Sequence, residues 1–164
     1  MSLYIRPLLT QHYKSVKEIF REVFEGEGLG AKDLYHAWRY RSHDDCTGLF
    51  TRQGDLVGFA ILYYTIGNPY NIYLAFIAIC PSRQGENLGS RILTHCLQKA
   101  VRENRSIHLY SLDYPTLKKW YCKHGFSKSC SGKMNFHSYR TRSQASFVHL
   151  LERIKKPLIE FTSR

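Results

Sequence analysis

The sequence predicts an α/β domain in which helices flank a mixed, largely antiparallel sheet. Three observations lead there. Ile72 to Cys80 is apolar on both faces, as a strand in the middle of a sheet must be. Leu88, Ile92, Cys96 and Ala100 recur every four residues, and Leu93, Leu97 and Val101 widen the stripe, the pattern of a helix packed on a sheet. Segments with strand and helix patterning alternate along most of the chain.

In chain order, Leu3 to Leu8 reads as a short strand. Thr10 is expected to cap a helix whose inner face carries Val16, Ile19, Phe20, Val23 and Phe24. The glycine-rich stretch 25–30 breaks it as a loop. A second helix is expected near Asp33, with Leu34, Ala37, Trp38 and Arg41 on one face. Gly48 to Arg52 and Leu56 to Thr65 read as strands joined by Gln53-Gly54-Asp55, a hairpin signal. Gly67-Asn68-Pro69 is expected to turn before the central strand. After the amphipathic helix, Ile107 to Leu112 reads as another strand. Pro115 suits the first turn of a further helix, with Leu117, Trp120 and Tyr121 inward and Gly125 as the stop. The rest is more polar; Phe147, Leu150, Leu151 and Ile154 have helical spacing, and Leu158 to Thr162 reads as a final strand. With no repeat or linker, residues 1–164 are expected to form a single domain.

Composition narrows the function classes. Of 164 residues, 43% are hydrophobic and 14% aromatic, too many for a disordered chain. The longest apolar run, Tyr73 to Cys80, is far short of the ~20 residues that span a bilayer. The first residues lack an apolar leader, so a cytoplasmic protein is expected. Five cysteines without CxxC spacing point to reduced thiols rather than to disulfides or zinc, and no metal is expected. Charge is lopsided. Lys+Arg and Asp+Glu balance at eight each up to residue 82, whereas residues 83–164 hold sixteen against five, the whole net +11. Such an excess suits an anionic partner.

The chemistry-bearing segment is Pro81-Ser82-Arg83-Gln84-Gly85-Glu86-Asn87-Leu88-Gly89-Ser90, between the buried strand and the amphipathic helix. N–H groups at such a turn, with the helix dipole behind them, suit phosphate. It is neither a Walker loop nor a dinucleotide fingerprint. Together with Trp120-Tyr121-Cys122-Lys123-His124-Gly125-Phe126, it resembles the GNAT superfamily of acyl-CoA N-acyltransferases. That family's loop reads Gln/Arg-x-x-Gly-x-Gly/Ala. Gln84 and Gly89 fill its ends, while Asn87 replaces the first glycine. Asn is among the few other residues that tolerate a positive φ, so the loop geometry can survive. The second segment matches Tyr-x-x-x-Gly-Phe, with the family's upstream Asn and Ala replaced by Tyr114 and Leu117.

The resemblance implies six to seven twisted strands and a splayed central pair that receives acetyl-CoA. Main-chain groups of Ile77, Ala78 and Ile79 would hold pantetheine. Gln84 and the N–H groups of Gly85, Glu86, Asn87, Leu88, Gly89 and Ser90 would hold the pyrophosphate, and Tyr114 stands at a cofactor position. Tyr121 would be the general acid that protonates the departing thiolate. Many relatives carry a Glu base early in the fourth strand, where this chain has Tyr73, and residues 56–85 hold no base carboxylate. The amine is then expected to lose its proton through water or to arrive neutral, with a rate that climbs toward the amine's pKa. Asp113 and His108 are the fallback bases.

The implied reaction is transfer of an acetyl group to a primary amine, with a peptide or protein amine favoured because a basic protein repels small polycations. Glu25, Glu27, Asp44 and Asp45 are expected to border the acceptor. Two other classes fit the residues: a catalytically weak acyl-CoA sensor or adaptor, and a basic nucleic-acid-binding module using Lys118, Lys119, Lys123 and Lys128. Nucleic acid and membrane are not the expected partners; a monomer or homodimer is. His43-Asp44-Asp45-Cys46 holds metal-capable groups but reads as a polar loop, and Gly-x-Ser-x-Gly is absent.

Overall fold

The alternation in the sequence becomes seven strands and four helices in the computed structural model, which describes residues 2–66, 68–129 and 132–137. The strands are β1 (Leu3–Pro7), β2 (Thr47–Thr51), β3 (Leu56–Thr65), β4 (Asn68–Ile79), β5 (Ser106–Tyr110), β6 (Ser127–Lys128) and β7 (Lys133–Phe136). The helices are α1 (Tyr13–Phe24), α2 (Ala31–Tyr40), α3 (Leu88–Arg102) and α4 (Pro115–Lys123). The sheet order is β1-β2-β3-β4-β5-β7-β6. Neighbours β1/β2, β2/β3, β5/β7 and β6/β7 pair antiparallel, and β4/β5 pair parallel. The mixed, mostly antiparallel sheet is the one expected.

Packing groups the described residues into two compact units: those up to Tyr63 with Leu74–Leu93, and Tyr64–Tyr73 with the described residues of 94–137. In the first, Val16, Ile19, Phe20 and Phe24 form the buried face of α1. The Phe20 and Phe24 rings lie 4.9 and 5.4 Å from that of Phe76 on β4. Burying each such side chain contributes roughly 1.5–3 kcal/mol, which is what holds a short helix in water. Thr10 does not cap α1. A 3-10 turn over Thr10–His12 comes first, and the Thr10 hydroxyl accepts from Arg41 Nη2 at 3.1 Å instead. Arg41 lies just past α2 rather than on its inner face, with its guanidinium 4.0 Å from the Trp38 ring centroid. α2 starts at Ala31, where Asp33 Oδ2 accepts from the Gly30 N–H at 2.8 Å and satisfies an orphan donor.

Gly58 sets how β3 meets the end of β4. A Cβ there would lie 2.4 Å from Ile79 Cδ1 and 2.8 Å from the Ala78 carbonyl oxygen. Next to it, the Cys80 N–H donates to the Val57 carbonyl at 2.8 Å. β4 starts at Asn68 and includes Pro69, so the expected turn is shorter than Gly67-Asn68-Pro69.

In the second unit, Ile72 of β4 and Ile107 and Leu109 of β5 are buried on one face. β5 stops at Tyr110, two residues before the expected end, and the Ser111 N–H donates to the Gly132 carbonyl at 3.1 Å. In α4 Tyr121 is buried, while Leu117 and Trp120, expected beside it, are half-buried. Gly125, at φ 97°, ends the helix as expected, and the Phe126 N–H returns to the Tyr121 carbonyl at 3.2 Å. The helix expected at 147–154 and the strand at 158–162 lie outside the described residues.

Gly58→Ala should overpack this contact, since one clashing atom is main chain. The expected loss is about 1–3 kcal/mol, read as a lower midpoint in urea with an unchanged slope.

Candidate active site

In the first unit, β4 ends in a turn that feeds α3. Gly85 and Asn87 both take the left-handed conformation, at φ 86° and 61°. Nothing lies within 4 Å of where a Gly85 Cβ would be. The first i to i−4 helical bond runs from the Arg91 N–H to the Asn87 carbonyl at 3.3 Å. Leu88 and Gly89 therefore offer N–H groups ahead of the helical ladder, at the positive end of the dipole. This is a donor set suited to a pyrophosphate. Gln84 ties the turn to the strand, its Nε2 donating to the Ile79 carbonyl at 3.1 Å. Arg83 Nε meets Glu86 Oε2 at 2.5 Å, so the Glu86 charge is compensated. Ile77 is half-buried and Ala78 and Ile79 are buried at the strand end.

In the second unit, Tyr121 is 6% exposed, between Trp120 and Phe126 with ring centroids at 4.9 and 5.5 Å. Burial, then the neighbouring Tyr73, pushes its phenol well above the ordinary tyrosine range. It stays protonated at any working pH, as a proton donor must. Tyr73 and His108 face each other in the β4/β5 register with rings 5.0 Å apart, and Tyr110 lies 6.1 Å from Tyr73. His108 Nδ1 is 3.1 Å from Asn71 Oδ1. Asn71 and Tyr110 carry no motif in the sequence; only the strand register reveals them.

Other candidates are placed apart. Tyr114 is exposed at the N-cap of α4. Asp113 is exposed and bonded to Lys118 Nζ at 2.6 Å, which holds its carboxyl below the usual range and makes it a poor base. Lys119, Lys123 and Lys128 are exposed. His43 and Asp44 are exposed, whereas Asp45 and Cys46 are buried, so the four do not converge. Asp45 accepts from the Ser42 hydroxyl at 2.5 Å. It is therefore no attractor for an acceptor, contrary to expectation.

A family model described as the acetyltransferase (GNAT) domain matches residues 43–128, more than half of the chain. The chain belongs to the GNAT acetyltransferase family. It is an acetyl-CoA-dependent N-acetyltransferase. The GNAT match runs through both the Gln84–Ser90 turn and Tyr121. No curated protein matches by sequence. Among solved structures, a GNAT-family acetyltransferase from Staphylococcus aureus Mu50 is 12% identical, with TM-score 0.68 over 83% of this chain and 99% of that one. The ribosomal-protein-S18-alanine N-acetyltransferase of Escherichia coli is 17% identical, with TM-score 0.66 over 83% and 94%. The PaiA N-acetyltransferase of Thermoplasma acidophilum, solved with coenzyme A, is 18% identical, with TM-score 0.63 over 84% and 99%. At these identities the likeness is one of fold.

Asn87→Gly should keep or improve acetyl-CoA affinity, measured by calorimetry. Asn87→Val should weaken it, because a β-branched residue held at positive φ is strained by about 1–2 kcal/mol, a factor of roughly 5–30. Equal affinities would remove the turn from the binding site.

Proposed function

We propose that the enzyme acetylates a primary amine carried by a peptide or protein. The observation that carries the cosubstrate half of this reading is the left-handed Asn87 ahead of α3, which keeps the turn geometry without the usual glycine. The acceptor half has three supports. The net charge of +11 disfavours approach of polyamines and aminoglycosides. Glu25, Glu27 and Asp44 are exposed around α1 and α2 and suit a locally cationic acceptor. A protein alanine is the acceptor named for the Escherichia coli relative.

In this reading Gln84 and the N–H groups of residues 85–90 hold the pyrophosphate, and main-chain groups of Ile77, Ala78 and Ile79 hold pantetheine. Tyr114, exposed at the N-cap of α4, would touch the cofactor from that end. Tyr121 gives its proton to the sulfur as the carbon–sulfur bond breaks.

Thiol release from acetyl-CoA, measured against peptides, histone tails, polyamines and aminoglycosides, tests the acceptor. Turnover is expected with peptides and not with the small polycations. Acetyl-CoA binding without turnover on any amine would favour an acyl-CoA sensor instead.

Tyr121→Phe keeps the ring and its packing, so melting temperature and acetyl-CoA affinity should barely change. Loss of a positioned general acid costs about 10²–10⁴-fold in rate. Thiolates leave easily, so the lower end is expected. Near-normal turnover would leave Tyr121 as a core aromatic.

A further inference from the structure

We propose that His108 is the general base of the acetyl transfer, with Asn71 orienting its ring so that Nε2 takes the proton of the acceptor ammonium. This rests on the amine-acetylation reading above and assigns the one proton that reading leaves without a destination.

The strand register carries the argument. β4 and β5 pair with Asn71 opposite Ser106 and Tyr73 opposite His108. Side chains alternate along a strand, so Asn71, Tyr73, His108 and Tyr110 share one face, opposite the buried Ile72, Ile107 and Leu109. The Tyr73 ring lies against the His108 ring, with centroids 5.0 Å apart. With the Asn71 amide oxygen turned to the ring, the 3.1 Å contact to Nδ1 is made by the tautomer that carries its hydrogen on Nδ1. Nε2 is left with the lone pair, the tautomer a base needs.

The surroundings favour the neutral ring. The groups that face it are Asn71 and Tyr73 on β4, Tyr110 on β5, and Asn135 and Lys133 on β7, with Tyr121 of α4 close enough to interact with Tyr73. Burial, then the Lys133 charge, lowers the imidazole from its ordinary value. Burial, then Tyr110, raises the Tyr73 phenol, so it stays uncharged beside the ring. At neutral pH the site thus holds an unprotonated imidazole and a protonated Tyr121.

The protons balance. The ammonium gives one proton to Nε2, and the freed amine forms the carbon–nitrogen bond at the thioester carbonyl. Collapse breaks the carbon–sulfur bond, and the sulfur takes the Tyr121 proton. The surplus proton on the new amide nitrogen restores Tyr121, and the imidazolium releases its proton to water.

The test is kcat/KM against pH for the full chain with acetyl-CoA and the best peptide acceptor. The native enzyme should show an acid limb from a group titrating below about 6.5, in place of a steady climb toward the amine's pKa. His108→Phe keeps a ring against Tyr73. It should lose that limb, fall about 10²–10⁴-fold at neutral pH, and recover as the pH nears the amine's own pKa. Asn71→Asp puts a carboxylate beside the ring, favours imidazolium, and should move the limb to higher pH with little change in the plateau. A merely structural contact would not move a pH limb. The native limb surviving in His108→Phe, or standing still in Asn71→Asp, overturns the assignment. If His108→Phe melts early, Asn71→Asp decides alone. A native chain that turns over no amine overturns the acetylation reading and this proposal together, whereas activity with an unmoved limb overturns only His108.

Discussion

The close approach at Gly58 is the constraint from which the cosubstrate end of the molecule follows. Because this position has no side chain, the β3 backbone comes within van der Waals reach of Ala78 and Ile79. That contact fixes where β4 stops, and the Cys80 N–H bond to Val57 locks the same point from the main chain. The turn must then reverse into α3 within eight residues, Cys80 to Asn87, and it does so with two left-handed residues. A well-packed strand end thus leaves N–H donors at Leu88 and Gly89 ahead of the helical ladder. Position comes from packing and chemistry from the groups the packing leaves over.

The acid and the proposed base are tuned by the same cause in opposite directions. Burial disfavours charge, so it raises the Tyr121 phenol and lowers the His108 imidazole. Each group rests in the form its proposed role requires. Burial and the Lys133 charge keep the imidazole neutral, whereas a carboxylate beside it would favour imidazolium.

Much of this was legible in the residues. The four-residue recurrence of Leu88, Ile92, Cys96 and Ala100 marked α3, and all four are buried. The tolerance of Asn for positive φ marked the turn at Asn87. What escaped depends on partners or lengths that local periodicity does not show. Thr10 has the chemistry of a helix cap, yet Arg41, 31 residues on, occupies its hydroxyl. Asp45 looks like a surface carboxylate until Ser42 is seen to bond it in the interior. β6 and β7 are two and four residues long, too short for any periodicity to show. Asn71 and His108 are 37 residues apart, and only the parallel register joins them.

The amides of Leu88 and Gly89 precede the first i to i−4 bond of α3, so no helical carbonyl shields them from solvent. Amides without a helical partner can exchange without global unfolding. With pyrophosphate in the proposed site, exchange at the start of α3 should slow, while Ile92 and Leu97 deeper in the same helix keep time with the fold itself.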